Sequence, residues 1–145
     1  MARIDKSIEI NTTPGRVWEM IYWDRIPEWL ETIIKAEYAS ENKDQAGATA
    51  HIEAEAAGVK AEWDVEVTEY VKNEKAAWRT TSGNFTAIGL TTLTSKEGST
   101  QMRFMIDYDL PHSILGRIID KLVVGRAVEE DIERGMKKLK DILEK

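Results

Sequence analysis

Apolar residues recur every three or four positions through the last third of the chain, at Leu115, Ile118, Leu122, Ile132, Met136, Leu139 and Leu143. Between Pro111 and Glu144 only Gly116, Gly125 and Gly135 weaken helix propensity. The spacing predicts one amphipathic helix over 111–144, about 50 Å long at about 1.5 Å per residue. A rod of that length cannot bury its own stripe, so it requires a sheet to lie on. A straight rod also cannot follow a twisted sheet along its whole length, which leaves a gap beneath it.

The rest of the chain supplies the sheet. From Arg3 to Ile10 the residues alternate, with Ile4, Ile8 and Ile10 on one face and Asp5, Ser7 and Glu9 on the other. Lys6 is the single charge on the apolar face. The run Asn11-Thr12-Thr13-Pro14 then opens a short helix, with Thr13 as cap and Pro14 at the first helical position. A second short helix is expected over 26–30, so the pair forms a corner. From Ile33 onward the period is two. Ala48, Ala50, Ile52, Ala54 and Ala56 share a face, as do Val59, Ala61, Trp63, Val65 and Val67. Further strands are expected near 76–81, 85–94 and 100–108, joined by short polar turns that imply an antiparallel meander. The fold class is α+β: a curved antiparallel sheet of about seven strands, two short helices after the first strand, and a long terminal helix. No linker or repeat interrupts it, so residues 1–145 read as a single domain.

Composition removes several functions. The net charge is −6, which disfavours nucleic acid and anionic membrane surfaces. There is no cysteine, and no apolar run approaches the length of a membrane span. A cytoplasmic protein without stable membrane insertion is expected. Neither GxGxxG nor GxxxxGK occurs, and no cofactor is expected. His51-x-Glu53 offers two metal ligands on a face that reads as solvent-exposed, without a third, so no metal is expected. His51 and His112 have no motif-defined nucleophile to form a Ser-His-Asp arrangement.

The opening segment Ile8-Glu9-Ile10-Asn11-Thr12-Thr13-Pro14, followed by Val17-Trp18 and Trp23-Asp24-Arg25-Ile26-Pro27-Glu28-Trp29, resembles the START and polyketide-cyclase (SRPBCC) superfamily. That superfamily shares the helix-grip fold of the birch-pollen allergens. The resemblance covers essentially the whole chain, and the helix from Pro111 matches the gripping helix. It implies a cavity under the long helix for an apolar ligand such as a lipid, sterol, polyketide or quinone. Members include cyclases, dehydratases, carriers and co-chaperones, so the resemblance assigns no catalytic set.

Candidate site residues follow from the two periods. At about 100° per residue, Ile118, Leu122, Ile132 and Met136 define one helix face, with Gly125 and Glu129 near its centre. A carboxylate there either reaches a ligand, acts as an acid of raised pKa, pairs with Lys6, or bends outward beside Arg126. Gly125 either makes room for a ligand or permits a close strand crossing. Trp63, Trp78, Phe104 and Tyr108 are placed inward by the strand period, and Thr80 with them. Small residues beside these rings, among them Ala61 and Gly89, either admit close packing or leave a void. The ligand-binding candidates are therefore Trp63, Trp78, Thr80, Phe104, Tyr108, Ile118, Leu122, Gly125 and Glu129, with Glu129 also the catalytic candidate. Trp18, Trp23 and Trp29 belong to the corner. The acidic run at Glu129-Glu130-Asp131 reads as mostly solvated, with Glu133–Lys137 available as an i,i+4 pair.

The expected function is binding or transport of a hydrophobic small molecule between sheet and helix. The alternatives are a cyclase or dehydratase that uses a cavity carboxylate, and an interaction domain similar to chaperone activators. A homodimer or a protein partner is left open.

Overall fold

The computed structural model describes residues 2–56, 59–109 and 121–145. In chain order the elements are β1 (Ala2–Ile10), α1 (Pro14–Met20), a 3₁₀ helix (Trp23–Glu28), β2 (Ile33–Tyr38), β3 (Thr49–Ala56), β4 (Val59–Val71), β5 (Lys75–Gly83), β6 (Thr86–Lys96), β7 (Ser99–Asp109) and α2 (Lys121–Leu143). The seven strands form one antiparallel sheet in the order β1-β7-β6-β5-β4-β3-β2, curled around the long helix. The corner carries the chain from one edge of the sheet, β1, to the other, β2. This is the α+β architecture expected from the two periods, and it fits the helix-grip fold that the family resemblance implies.

Two local expectations need correction. Thr13 stands at the N-cap of α1, but its side chain makes no cap bond. Its carbonyl instead accepts from the backbone of Arg16 and Val17, and Pro14 at the first helical position removes one donor that needed a partner. The second short helix is of the 3₁₀ type and begins at Trp23, ahead of the expected Ile26. The segment of the terminal helix expected over 111–120, with Leu115, Ile118 and His112, lies outside the described residues, as does the side chain of Leu122.

Among the described residues the buried apolar side chains fall into three clusters. The first joins the C-terminal part of α2 (Leu139, Leu143) to α1 and the strand ends through Ile10, Trp18, Trp29 and Met102. The second lies under the middle of α2, where Ile132 and Met136 meet Ile4, Ile106 and Tyr108. The third lines β2, β3 and β4 with Ile33, Ala50, Ile52, Trp63 and Val65. It is covered by Trp23, Ile26 and Leu30 of the corner, and α2 contributes no described residue to it. Among the described residues the helix lies mainly against β1 and α1.

Candidate functional site

The inward face of β3 and β4 grades from closed to open. Ala50 and Ile52 are fully buried, as is Val65 opposite. Further along, Ala54 and Ala61 face each other across the ladder and are only half-buried. These small side chains floor the wall toward the end of the β3–β4 hairpin.

Aromatic rings stand over that floor. Trp63, 7% exposed, packs against Phe85 with centroids 4.7 Å apart. Phe85 in turn stacks on Tyr108 at 6.0 Å. Trp78 meets Trp23 of the corner edge-on at 5.2 Å. The Trp78 indole also lies over Gly89, its cross-strand partner, where an added Cβ would come within 2.2 Å of the ring. Gly89 therefore seats an indole and leaves no void of its own. Phe85, the first residue of the strand expected over 85–94, stands just ahead of the observed β6 and was not selected from the sequence. Its parity with the inward residues Ala87 and Gly89 was the available signal. Phe104 is half-buried and packs against the middle cluster.

Polar groups at this end differ in how they are satisfied. The Thr80 hydroxyl accepts from the Ala87 N–H at 3.1 Å and donates to the Ala87 carbonyl at 3.3 Å. The β5–β6 ladder ends at Arg79 and Ile88, so this hydroxyl substitutes for the next rung. The Tyr108 hydroxyl, on a residue 2% exposed, makes no hydrogen bond to any described residue. Burial, and then the charge of Glu129, push its pKa up. It comes up beneath Gly125, where an added Cβ would stand 3.5 Å from the oxygen, at ordinary contact distance. The Trp63 indole N–H is buried without an acceptor among the described residues.

Glu129 lies one turn beyond Gly125 and pairs with Lys6 at 2.5 Å, and Glu133 reaches the same ammonium at 2.7 Å. The two carboxylates together hold Lys6 protonated well above its ordinary range, Glu129 contributing most. Lys6 in turn draws the Glu133 carboxyl below its usual range. This explains a charge on the apolar face of β1, since α2 crosses that edge strand and brings two acids to it. Glu133 thus forms its ion pair with Lys6 in place of the expected Lys137. The three side chains remain partly exposed, at 29%, 44% and 48%, so the cluster is a modest stabiliser.

Asp131 contradicts the reading of its acidic run as solvated. It is 8% exposed and accepts a 2.6 Å bond from the Thr32 hydroxyl, with Arg134 at 3.7 Å. It ties α2 to the loop before β2. Nothing in the periodicity marks it, because its partner lies 99 positions away.

The opposite face of the sheet carries a separate polar group. His51 Nδ1 is 2.8 Å from Asp64, which also accepts from the Ser82 hydroxyl at 2.5 Å. Asp64 sits between the other two, so the imidazole does not touch the serine as nucleophilic catalysis requires. Glu53 and Glu62 approach the same imidazole at 3.8 and 3.5 Å. Among the described residues no group of three or more acidic or imidazole side chains could hold a metal ion. No helix among them is long and apolar enough to cross a membrane.

Comparison with known proteins agrees with this architecture. The chain is 24% identical over 137 residues to an uncharacterized 17.2 kDa protein of Streptomyces lincolnensis, covering 92% of this chain and 87% of that one. TTHA0849 from Thermus thermophilus has a similar fold, with a TM-score of 0.81 at 18% identity over 97% of this chain and 95% of that one. A START superfamily protein from Mycobacterium smegmatis follows at 0.78 and 14%, covering 98% and 97%. The major latex-like protein 151 of Panax ginseng reaches 0.70 at 12%, again covering 98% and 97%. With the model of the family described as "Polyketide cyclase / dehydrase and lipid transport" matching residues 1–144, the chain belongs to that family.

Proposed function

We propose that this chain binds or carries a hydrophobic small molecule, of lipid, polyketide or quinone type, between the β2–β4 wall and the start of the long helix. One observation carries the reading. The wall cluster around Trp63 is backed by the corner and by other strands, while α2 adds no described residue to it. A sheet face to which the described part of α2 adds no side chain is where an apolar guest would gain most from burial, at about 25 cal/mol per Å² of apolar area. Family membership supports the same class of ligand. The compartment that fits this reading is the cytoplasm, where a cysteine-free chain needs no disulfides.

Native mass spectrometry of purified protein, followed by lipid extraction, should detect a co-purifying apolar molecule. Tryptophan emission should respond to members of a panel of fatty acids, quinones and flavonoids. Silence in both measurements would end the carrier reading.

A second reading, a cyclase or dehydratase, has one observation in its favour. After burial, the charge of Glu129 raises the pKa of the Tyr108 hydroxyl, which lies beneath Gly125 one turn from Glu129. Glu129→Gln should then abolish turnover of a polyketide-type substrate and leave its binding nearly intact. Undiminished turnover in that variant would remove Glu129 from the chemistry.

A further inference from the structure

The buried tryptophans of this chain are not alike. The Trp18 indole donates to the Tyr70 hydroxyl at 3.1 Å, and the Trp29 indole to the Met20 carbonyl at 2.8 Å. Trp63 is more than nine-tenths buried, as they are, yet its N–H meets no acceptor among the described residues. Buried donors are almost always satisfied, and an orphan in a native interior calls for a partner supplied from elsewhere. The surroundings narrow what that partner is. The Trp63 ring packs on Phe85, and Phe85 on Tyr108, whose hydroxyl is also unpartnered among the described residues. The floor nearby is Ala54 and Ala61, half-buried and apolar. Both free groups are uncharged donors, and burial disfavours ionisation of the phenol. Lys6, a cation on the inward face of β1, is already held by Glu129 and Glu133. Glu129 would repel an anion brought to the Tyr108 hydroxyl.

We propose that the Trp63 indole N–H is a hydrogen-bond donor to the bound molecule, and that the site selects an uncharged, ring-containing compound bearing a carbonyl-type acceptor oxygen over a carboxylate of the same skeleton. The inference rests on the binding reading and adds to it the polarity of the ligand and the residue that orients it. Flat rings suit the aromatic tier, and a neutral oxygen satisfies the orphan N–H without the desolvation cost of an anion.

Three matched probes separate these contributions: 2-ethylnaphthalene, 2-acetylnaphthalene and 2-naphthoate. Each is titrated calorimetrically at neutral pH into the wild-type chain and into Trp63→Phe, which keeps a ring and deletes the donor. The acetyl probe should bind the wild type more tightly than the other two. Trp63→Phe should weaken it about 10-fold while leaving the ethyl probe within about 2-fold. In ¹⁵N-labelled wild type, the Trp63 indole N–H resonance should move downfield with the acetyl probe and not with the ethyl probe, a readout that does not depend on the variant folding. Binding of the ethyl probe with no preference for the ketone, or equal loss for all probes in Trp63→Phe, overturns this inference and leaves the hydrophobic-carrier reading standing. Equal affinity for 2-naphthoate overturns it as well. Failure of every probe to bind the wild type overturns this inference, and the carrier reading falls with it only when the mass-spectrometric and emission measurements are silent as well.

Discussion

Helix α2 meets the sheet in two different ways. Toward its C-terminus it is clamped: Leu139 is fully buried and Leu143 nearly so, within a cluster that includes α1 and the ends of β1, β6 and β7. Gly135 lets the helix come down on Trp29 and Leu30, and Asp131 bonds the loop ahead of β2. Toward its start, Val124, Gly125 and Val128 are only half-buried, Ala54 and Ala61 of the β3–β4 wall are half-buried too, and the Trp63 N–H has no acceptor among the described residues. Close packing stabilises one end, and the other end forgoes that stabilisation. On the proposed binding role, a helix held at one end and less covered at the other would admit a guest without requiring the whole fold to open.

Truncating the helix at each end should give the largest contrast. Leu139→Ala should cost about 2–5 kcal/mol in urea unfolding, as cavities in dry cores do. Val128→Ala should cost about 1 kcal/mol or less. Similar losses at the two positions would erase the distinction.

The two glycines sharpen it further by sign. An added methyl at Gly135 meets Leu30 Cδ1 at 2.8 Å and the Trp29 carbonyl at 3.1 Å. Gly135→Ala should therefore destabilise by about 1–3 kcal/mol despite its better helix propensity. At Gly125 the nearest atom among the described residues is the Tyr108 hydroxyl oxygen at 3.5 Å, so Gly125→Ala should stabilise by up to about 1 kcal/mol while crowding a ligand. Thermal unfolding of both variants checks this, and a shared sign would contradict the contrast.

Smaller effects come from charges outside the two packed regions. Glu133 has its carboxyl drawn down by Lys6, so its contribution is complete above its unfolded value near about 4.3 and is lost as pH falls through the lower folded value. Lys6→Met should flatten that acid-side decline in unfolding midpoints. His51 has the opposite sign. Asp64 first, then Glu62 and Glu53, raise it, so its contribution is complete below about 6.5 and fades as pH rises through the folded value. His51→Gln should remove this slight loss on the alkaline side and leave ligand affinity unchanged, because it lies on the other face of the sheet.

Much of this was legible because both periods are strong. Alternation placed Trp63, Trp78 and Tyr108 on the inner face, and the stripe from Ile132 to Leu143 placed α2 on the sheet. The one inward charge, Lys6, was also visible, with Glu129 as a partner to weigh. What stayed hidden depended on long-range contacts. Asp131 finds Thr32 only once the corner has turned, and Gly89 is filled by an indole from the neighbouring strand. The orphaned state of the Trp63 N–H is likewise a property of what surrounds the ring, which no local pattern encodes.

The central claim is that a guest lies at the loosely covered end of α2 and not at the clamped end. Methyl-resolved NMR during titration with 2-ethylnaphthalene tests it directly. Resonances of Ala54, Ala61 and Val128 should shift while those of Leu139 and Leu143 stay fixed; shifts confined to the leucines, or none at saturating probe, would contradict it.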